Sequence, residues 1–255
     1  MPELKLELKD AETGEPVQLQ ELNRDAALDL LEHARITAAE LVPWGSNHTF
    51  AVALEHNGLQ HLGIYKPIAG ERPLHDFPFG TLHNREMASW LVSDGLGWAI
   101  VPPTVLRDGP YGEGSVQIFV PHTEEQDDAE EFWGTDTIEN ERFVLFDHIV
   151  NNADRKLTHC LVSEEGRPFG IDHGLTFHTE PKLRTVMWQF VEEPIREELR
   201  DDMRSLLANT ELLARIALLL SPEEHAAFLE RIQFMIETER YPMLNPRFNI
   251  PYGWW

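Results

Sequence analysis

Asn151-Asn152-Ala153-Asp154-Arg155-Lys156-Leu157-Thr158-His159 decides the reading of this chain, together with Gly170-Ile171-Asp172-His173-Gly174 a little further on. Between them, Cys160–Val162 and Pro168–Ile171 flank the polar run Ser163-Glu164-Glu165-Gly166-Arg167. Short apolar runs separated by turn residues predict a tight two-stranded hairpin. A hairpin returns its ends to one place, so Asp154 and His159 at its entrance are expected beside Asp172 at its exit. Two carboxylates and an imidazole held in this way can orient a hydroxyl for proton removal and hold a divalent metal. The competing reading is that both aspartates only cap turns, a favoured use of Asp. Their placement at the two ends of one hairpin argues for the first.

Immediately upstream, Phe143, Val144, Leu145, Phe146, Ile149 and Val150 make the segment Thr137–Asn151 apolar on most sides. That pattern predicts a central helix that delivers the loop. Before it, residues 123–136 carry Glu124, Glu125, Asp127, Asp128, Glu130, Glu131 and Asp136 without one basic residue, which reads as a solvated loop with Phe132 and Trp133 as docking points. Strands are expected over Thr104–Arg107 and Ser115–Val120, around the turn Asp108-Gly109-Pro110-Tyr111-Gly112. A helix over Thr81–Asp94, ended by Gly95 and Gly97, sets Glu86 between Leu82 and Trp90 at i−4 and i+4. A carboxylate inside an apolar stripe needs a partner. Phe50, Val52 and Leu54 alternate with alanines, and His56-Asn57-Gly58 supplies an Asn-Gly hairpin turn into a strand over Leu59–Lys66. Lys66, on the packed face with Leu62 and Ile64, is the natural partner of Glu86. The alternatives are an exposed strand-end lysine and a surface glutamate beside Arg85. Asn23 caps an expected helix over Asp25–Ala34. Downstream, Lys182 and Arg184 stand out as cations, and Ser221-Pro222-Glu223-Glu224 is a capping box. The end, Tyr241–Trp255, is rich in proline and aromatic residues, with Trp254-Trp255 last.

The 255 residues include 44 acidic and 21 basic side chains, a formal charge of −23. Such a surface repels nucleic acid and anionic bilayers, so neither is expected as a partner. One cysteine, Cys160, excludes an internal disulfide and fits a reducing compartment. The start lacks a signal-peptide core, and no apolar run approaches the ~18 residues of a membrane span. The expectation is a cytoplasmic protein with no membrane span.

Asp154-Arg155 followed by Ile171-Asp172-His173-Gly174 resembles the catalytic and metal-binding loops of the kinase fold. The wording is most similar to the phosphatidylinositol 3-/4-kinase superfamily and the related HipA-type kinases, where Asn stands five residues after the Asp of Asp-Arg. Within that superfamily it looks closest to an actinobacterial group. The likeness runs over roughly residues 41–190. It implies an α+β, two-lobed fold, with a small β-rich N-lobe over 1–121 and a larger helical C-lobe over 122–255. It implies ATP with magnesium or manganese, and an acceptor hydroxyl on a small molecule or protein. By resemblance, Asp154 faces the acceptor hydroxyl, with Arg155 beside it bracing the loop through a carboxylate or backbone oxygens. Lys66 holds the α/β phosphates and Glu86 positions Lys66. Ser46, in Trp44-Gly45-Ser46-Asn47-His48, lies in the phosphate-covering loop. Ile118 and Val120 lie in the lobe connection whose backbone binds adenine. Asp172 is the main metal ligand, and His159 takes the place of the ligating Asn.

That histidine is the departure. Imidazole is softer than an amide oxygen and suits manganese better than magnesium. An ordinary buried histidine at a strand start is the competing account. The functional expectation is a metal-dependent phosphotransferase. The alternatives are a pseudokinase or nucleotide-binding scaffold without turnover, and an AMP transferase on a kinase fold.

Overall fold

The computed structural model describes residues 6, 8–9, 15–43, 47–122 and 133–252. Ser46, the acidic residues 123–132 and Trp254-Trp255 lie outside the described residues. The chain divides into two compact units, one of residues 1–87 and 102–121, the other of 88–101 and 122–255. The first unit ends at Pro121, and residues 88–101 group with the second unit.

The first unit opens with helix α1 (Arg24–His33), where Asn23 Oδ1 accepts the Ala26 N–H at 3.0 Å. Five antiparallel strands follow: β1 (Arg35–Leu41), β2 (Phe50–His56), β3 (Leu59–Pro67), β4 (Thr104–Gly109) and β5 (Gly112–Ile118), in the order β1-β2-β3-β5-β4. Asn57 (φ 48°) and Gly58 (φ 80°) are both left-handed, as a type I′ hairpin turn requires. The register Phe50↔Tyr65 and Val52↔Gly63 fixes which face is core. Val52, Leu54, Tyr65, Val105, Val116 and Ile118 pack on Ala27, Leu30 and Leu31 of α1. Arg107 then closes the end of α1 by donating to the carbonyls of Leu31 (2.6 Å) and Ala34 (2.9 Å).

The register sets Leu62, Ile64 and Lys66 on the sheet face opposite the α1 core, beside Ala51, Ala53 and Ser115. Leu62, Ala51, Ala53 and Ser115 are buried, so this face is packed as well.

Helix α2 (Leu82–Gly95) begins on Glu71, whose carboxylate accepts the amides of Gly80 (2.7 Å) and Leu82 (3.0 Å). These hydrogen bonds, with His83 nearby, hold Glu71 below its ordinary pKa despite its burial, which acts to raise it. In the second unit, α3 (Ile138–Val150) is capped by Thr137 and ends at Asn151 in the left-handed conformation (φ 55°). A hairpin of β6 (Cys160–Val162) and β7 (Pro168–Gly170) follows, then α4 (Glu197–Ala208), α5 (Thr210–Ala217) and α6 (Pro222–Thr238). The Ser221–Glu224 capping box starts α6. Phe143, Phe146, Ile149 and Val150 are fully buried, with Phe228 and Ile232 of α6. Among the described residues no helix is long and apolar enough to cross a membrane.

Candidate active site

In the first unit, Lys66 Nζ lies 2.5 Å from Glu86 Oε1. The Glu86 side chain is almost closed to solvent, while a quarter of Lys66 remains exposed. The cap on α2 and the β3–β5 pairing, with Lys66 opposite Ser115, hold the two in place. Ile118 points into the core, and its N–H donates to Pro103 O at 2.9 Å. The next amide, Phe119, donates to Leu62 O. Both N–H groups are therefore spent inside the unit. Val120 is buried.

In the second unit the organising residue is Arg155, with no exposed surface. Its Nε and Nη2 donate to Asp147 of α3 at 2.9 Å each. Nη1 donates to the His159 carbonyl at 3.1 Å and Nη2 to His173 Nε2 at 2.7 Å. One guanidinium thus joins α3, the loop carrying Asp154 and the loop carrying Asp172. The Asp147 carboxylate raises its pKa against the opposing effect of burial. Asn152 also donates to Asp147 Oδ1 (2.9 Å), and Asn152 Oδ1 accepts the Asp154 N–H (3.0 Å). Gly170 makes room for this: a Cβ there would meet Phe143 at 2.9 Å and both Arg155 terminal nitrogens at 3.2 Å. Arg155, set beside Asp154 in the sequence reading, touches no solvent and braces the loop through a carboxylate and backbone carbonyls.

The mouth of the hairpin closes where Ile171 N–H donates to His159 O at 2.9 Å. This sets His159 Nε2 at 3.6 Å from Asp172 Oδ2. His159 Nδ1 lies 2.9 Å from the carbonyl of Asp154 and must donate to it, since a carbonyl only accepts. Burial lowers the His159 pKa, with the Asp172 carboxylate opposing. In its neutral form the ring carries its proton on Nδ1, leaving the Nε2 lone pair on the side of Asp172. Asp172 is half exposed and sits at φ 60°, a conformation Asp tolerates better than most residues. A divalent cation could be held between these two atoms. The Asp154 carboxylate is engaged on one oxygen, Oδ2, by Lys156 Nζ at 2.8 Å.

The curated relative Protein Rv2133c of Mycobacterium tuberculosis is 33% identical over 263 aligned positions, which cover 87% of this chain and 94% of that protein. The family described as phosphatidylinositol 3- and 4-kinase matches residues 106–219, a span that holds Asp154, His159 and Asp172 but not Lys66 or Glu86. The chain belongs to the phosphatidylinositol 3-/4-kinase-like family. Its fold agrees with the structure of hydra Fam20 with sugar, at TM-score 0.52 and 15% identity over 83% of this chain and 87% of that one. The Helicobacter pylori proinflammatory kinase CtkA aligns at TM-score 0.44 and 11% identity, over 79% and 93% of the two chains.

In this kinase-like chain the segment after Asp172 is bound tightly to the loop of Asp154. Arg184 N–H donates to Asn152 O, Arg155 N–H to Arg184 O and Val186 N–H to Arg155 O, at 2.9–3.1 Å. Asn151 adds its side-chain amide to the carbonyls of His178 (2.9 Å) and Glu180 (2.7 Å). On its outer side the same segment meets the C-terminal tail. Thr185 N–H donates to Asn249 O, and Asn249 Nδ2 donates to Leu183 O. The Arg184 guanidinium lies 4.8 Å over the Tyr252 ring. Asp147, Asn152, Lys156 and Asn249 escaped the sequence reading. Only Lys156 left a local signal, as a cation two residues from Asp154.

Proposed function

We propose that the chain is a metal-dependent phosphotransferase that moves a phosphoryl group from ATP to a hydroxyl of a small molecule or protein. The observation that carries this reading is the Arg155 network. It fixes the Asp154 and Asp172 loops together, with the His159 lone pair directed at the Asp172 carboxylate. In this reading Asp154 Oδ1, which Lys156 leaves open, accepts the proton of the acceptor hydroxyl as its oxygen attacks the γ-phosphorus. The bond from that phosphorus to the β–γ bridging oxygen breaks and ADP leaves. Asp172 and His159 would hold the divalent ion, which would supply positive charge to the phosphate oxygens. Lys66, positioned by Glu86, holds the α/β phosphates. Arg155 touches no reactant and keeps the loops in register.

A second reading, a nucleotide-binding scaffold without turnover, is favoured by His159 at the position where the kinases it resembles carry Asn. The test is ATP affinity and turnover for the wild type, Asp154→Asn and Asp172→Ala, with magnesium and with manganese. Asp154→Asn is expected to lower turnover by about 10²–10⁴-fold and to leave ATP affinity nearly unchanged, because its carboxylate acts on the transition state. Asp172→Ala is expected to lose both. Wild type that binds ATP yet turns over none with either metal and any acceptor pool supports the scaffold. ADP as product supports phosphoryl transfer; pyrophosphate supports AMP transfer.

A further inference from the structure

Asp29 and His33 lie four residues apart on one face of α1, and His56 ends β2 at the hairpin turn. Lys66 is near the opposite end of β3 from that turn, roughly 20 Å along the strand. Nothing in the kinase reading uses these three side chains. Asp29 Oδ1 is 3.1 Å from His33 Nδ1, and Asp29 Oδ2 is 3.7 Å from His56 Nε2. The two imidazoles stack at 5.6 Å. One donor atom from each residue lies within 4.8 Å of the others, the one such group of three among the described residues.

Those separations are close to what a tetrahedral ion demands. Bonds of about 2.0–2.1 Å at tetrahedral angles set ligand atoms roughly 3.3 Å apart. The 3.1 and 3.7 Å distances run from different oxygens of Asp29, Oδ1 to His33 and Oδ2 to His56; with one donor atom from each residue, the three lie within 4.8 Å of one another. Tightening to the tetrahedral spacing needs rotation of the Asp29 and His33 side chains, which are 60% and 56% exposed. Two imidazoles and a carboxylate select zinc, nickel or copper over magnesium and calcium.

One histidine already carries the tautomer an ion needs, and the other must change its own. Asn57 Nδ2 lies 3.0 Å from His56 Nε2, so that nitrogen accepts and carries a lone pair. Turned half about, the same amide presents its oxygen at that position as a fourth donor. His33 Nδ1 lies 3.0 Å from the Asp29 carbonyl and there bears the hydrogen. An ion would move that hydrogen to Nε2, where water surrounds the exposed ring. As an ion pair alone, this exposed cluster contributes little to stability. As a metal site it ties α1 to the β2–β3 hairpin.

We propose that Asp29, His33 and His56 form a surface site for a borderline divalent cation of the zinc–nickel class, cross-linking α1 to the β2–β3 hairpin. The test uses the full chain, freed of metal by chelator, titrated with Zn²⁺ by calorimetry and thermal melting, and with Co²⁺ by visible absorption. His33→Gln/His56→Gln is expected to bind one Zn²⁺ fewer per chain than the wild type and to lose the intense tetrahedral Co²⁺ band. Zn²⁺ is expected to raise Tm more in the wild type than in the double variant, and Asp172→Asn is expected to keep the rise that the double variant loses. Asp29 and His33 are exposed and His56 is about a quarter exposed, so the variants are expected to keep the fold, which circular dichroism checks. Equal Zn²⁺ stoichiometry in wild type and double variant, or binding only at millimolar Zn²⁺, overturns the proposal. The Asp172→Asn arm separates this site from the candidate catalytic metal.

Discussion

Lys66–Glu86 in the first unit and Arg155–Asp147 in the second are both charged pairs, yet they are built differently. The first has its ammonium 2.5 Å from a carboxylate oxygen, and its lysine keeps a quarter of its surface in water. The second is wholly buried, and its guanidinium also holds a histidine and two backbone carbonyls. A half-open cation can turn to an incoming anion at small cost. A buried, fully bonded one cannot exchange partners without losing the structure it holds together. The comparison separates a residue poised for a ligand from one that fixes geometry, although both carry the same charge.

The sharpest way to break that comparison is Arg155→Met. It leaves the Asp147 carboxyl group buried with one of its two donor residues gone, a loss on the order of 3–5 kcal/mol. Urea unfolding measures it. Adding Asp147→Leu is expected to recover part of the loss, because the stranded charge is removed with its partner. A single variant as stable as the wild type would show that the loops are held by other contacts.

Lys66→Met is expected to do less to the fold and more to the ligand. Glu86 loses one partner at a half-open site, at a cost of about 1–2 kcal/mol, below that of Arg155→Met. The rise in Tm with ATP and a divalent ion, worth about 2.7 kcal/mol at a hundredfold excess over Kd, is expected to vanish. A Lys66→Met protein that ATP still protects would remove Lys66 from the nucleotide site.

What could be read from the sequence follows the range of each interaction. The Asn57-Gly58 turn, the Asn23 cap, the Ser221 capping box and the β6–β7 hairpin are set by residues within a few positions, and each left its pattern. Helix α3 was legible because its apolar residues surround it. Asp147 was not, since an aspartate between Phe146 and His148 has meaning only once Arg155 is folded onto it. Glu71 caps α2 from a loop that carries no helical signal. Strand β1 was missed because it is an edge strand, exposed at Arg35, Thr37, Ala38 and Leu41, so no apolar alternation marks it. The face of Lys66 depended on strand pairing. The tail contact of Asn249 with Leu183 spans 66 positions, beyond any periodic signal.

The smallest expected effect is the one that tests the site most finely. His159 does two things with one ring: Nδ1 donates to the Asp154 carbonyl and Nε2 faces Asp172. An asparagine can do the same, donating through its amide nitrogen and offering its oxygen to the ion. His159→Asn therefore keeps the bonding pattern and changes mainly the hardness of the ligand. Stability is expected to change by less than about 1 kcal/mol. The ratio of magnesium- to manganese-supported turnover is expected to rise, on the order of tenfold, because amide oxygen is the harder donor. Steady-state rates with each metal in wild type and variant measure that ratio. The contrasting outcome is also informative. If the metal preference stays fixed while urea unfolding shows a loss beyond about 1 kcal/mol, His159 buttresses the Asp154 loop and ligates nothing. It would then belong with Arg155, among the residues that fix geometry.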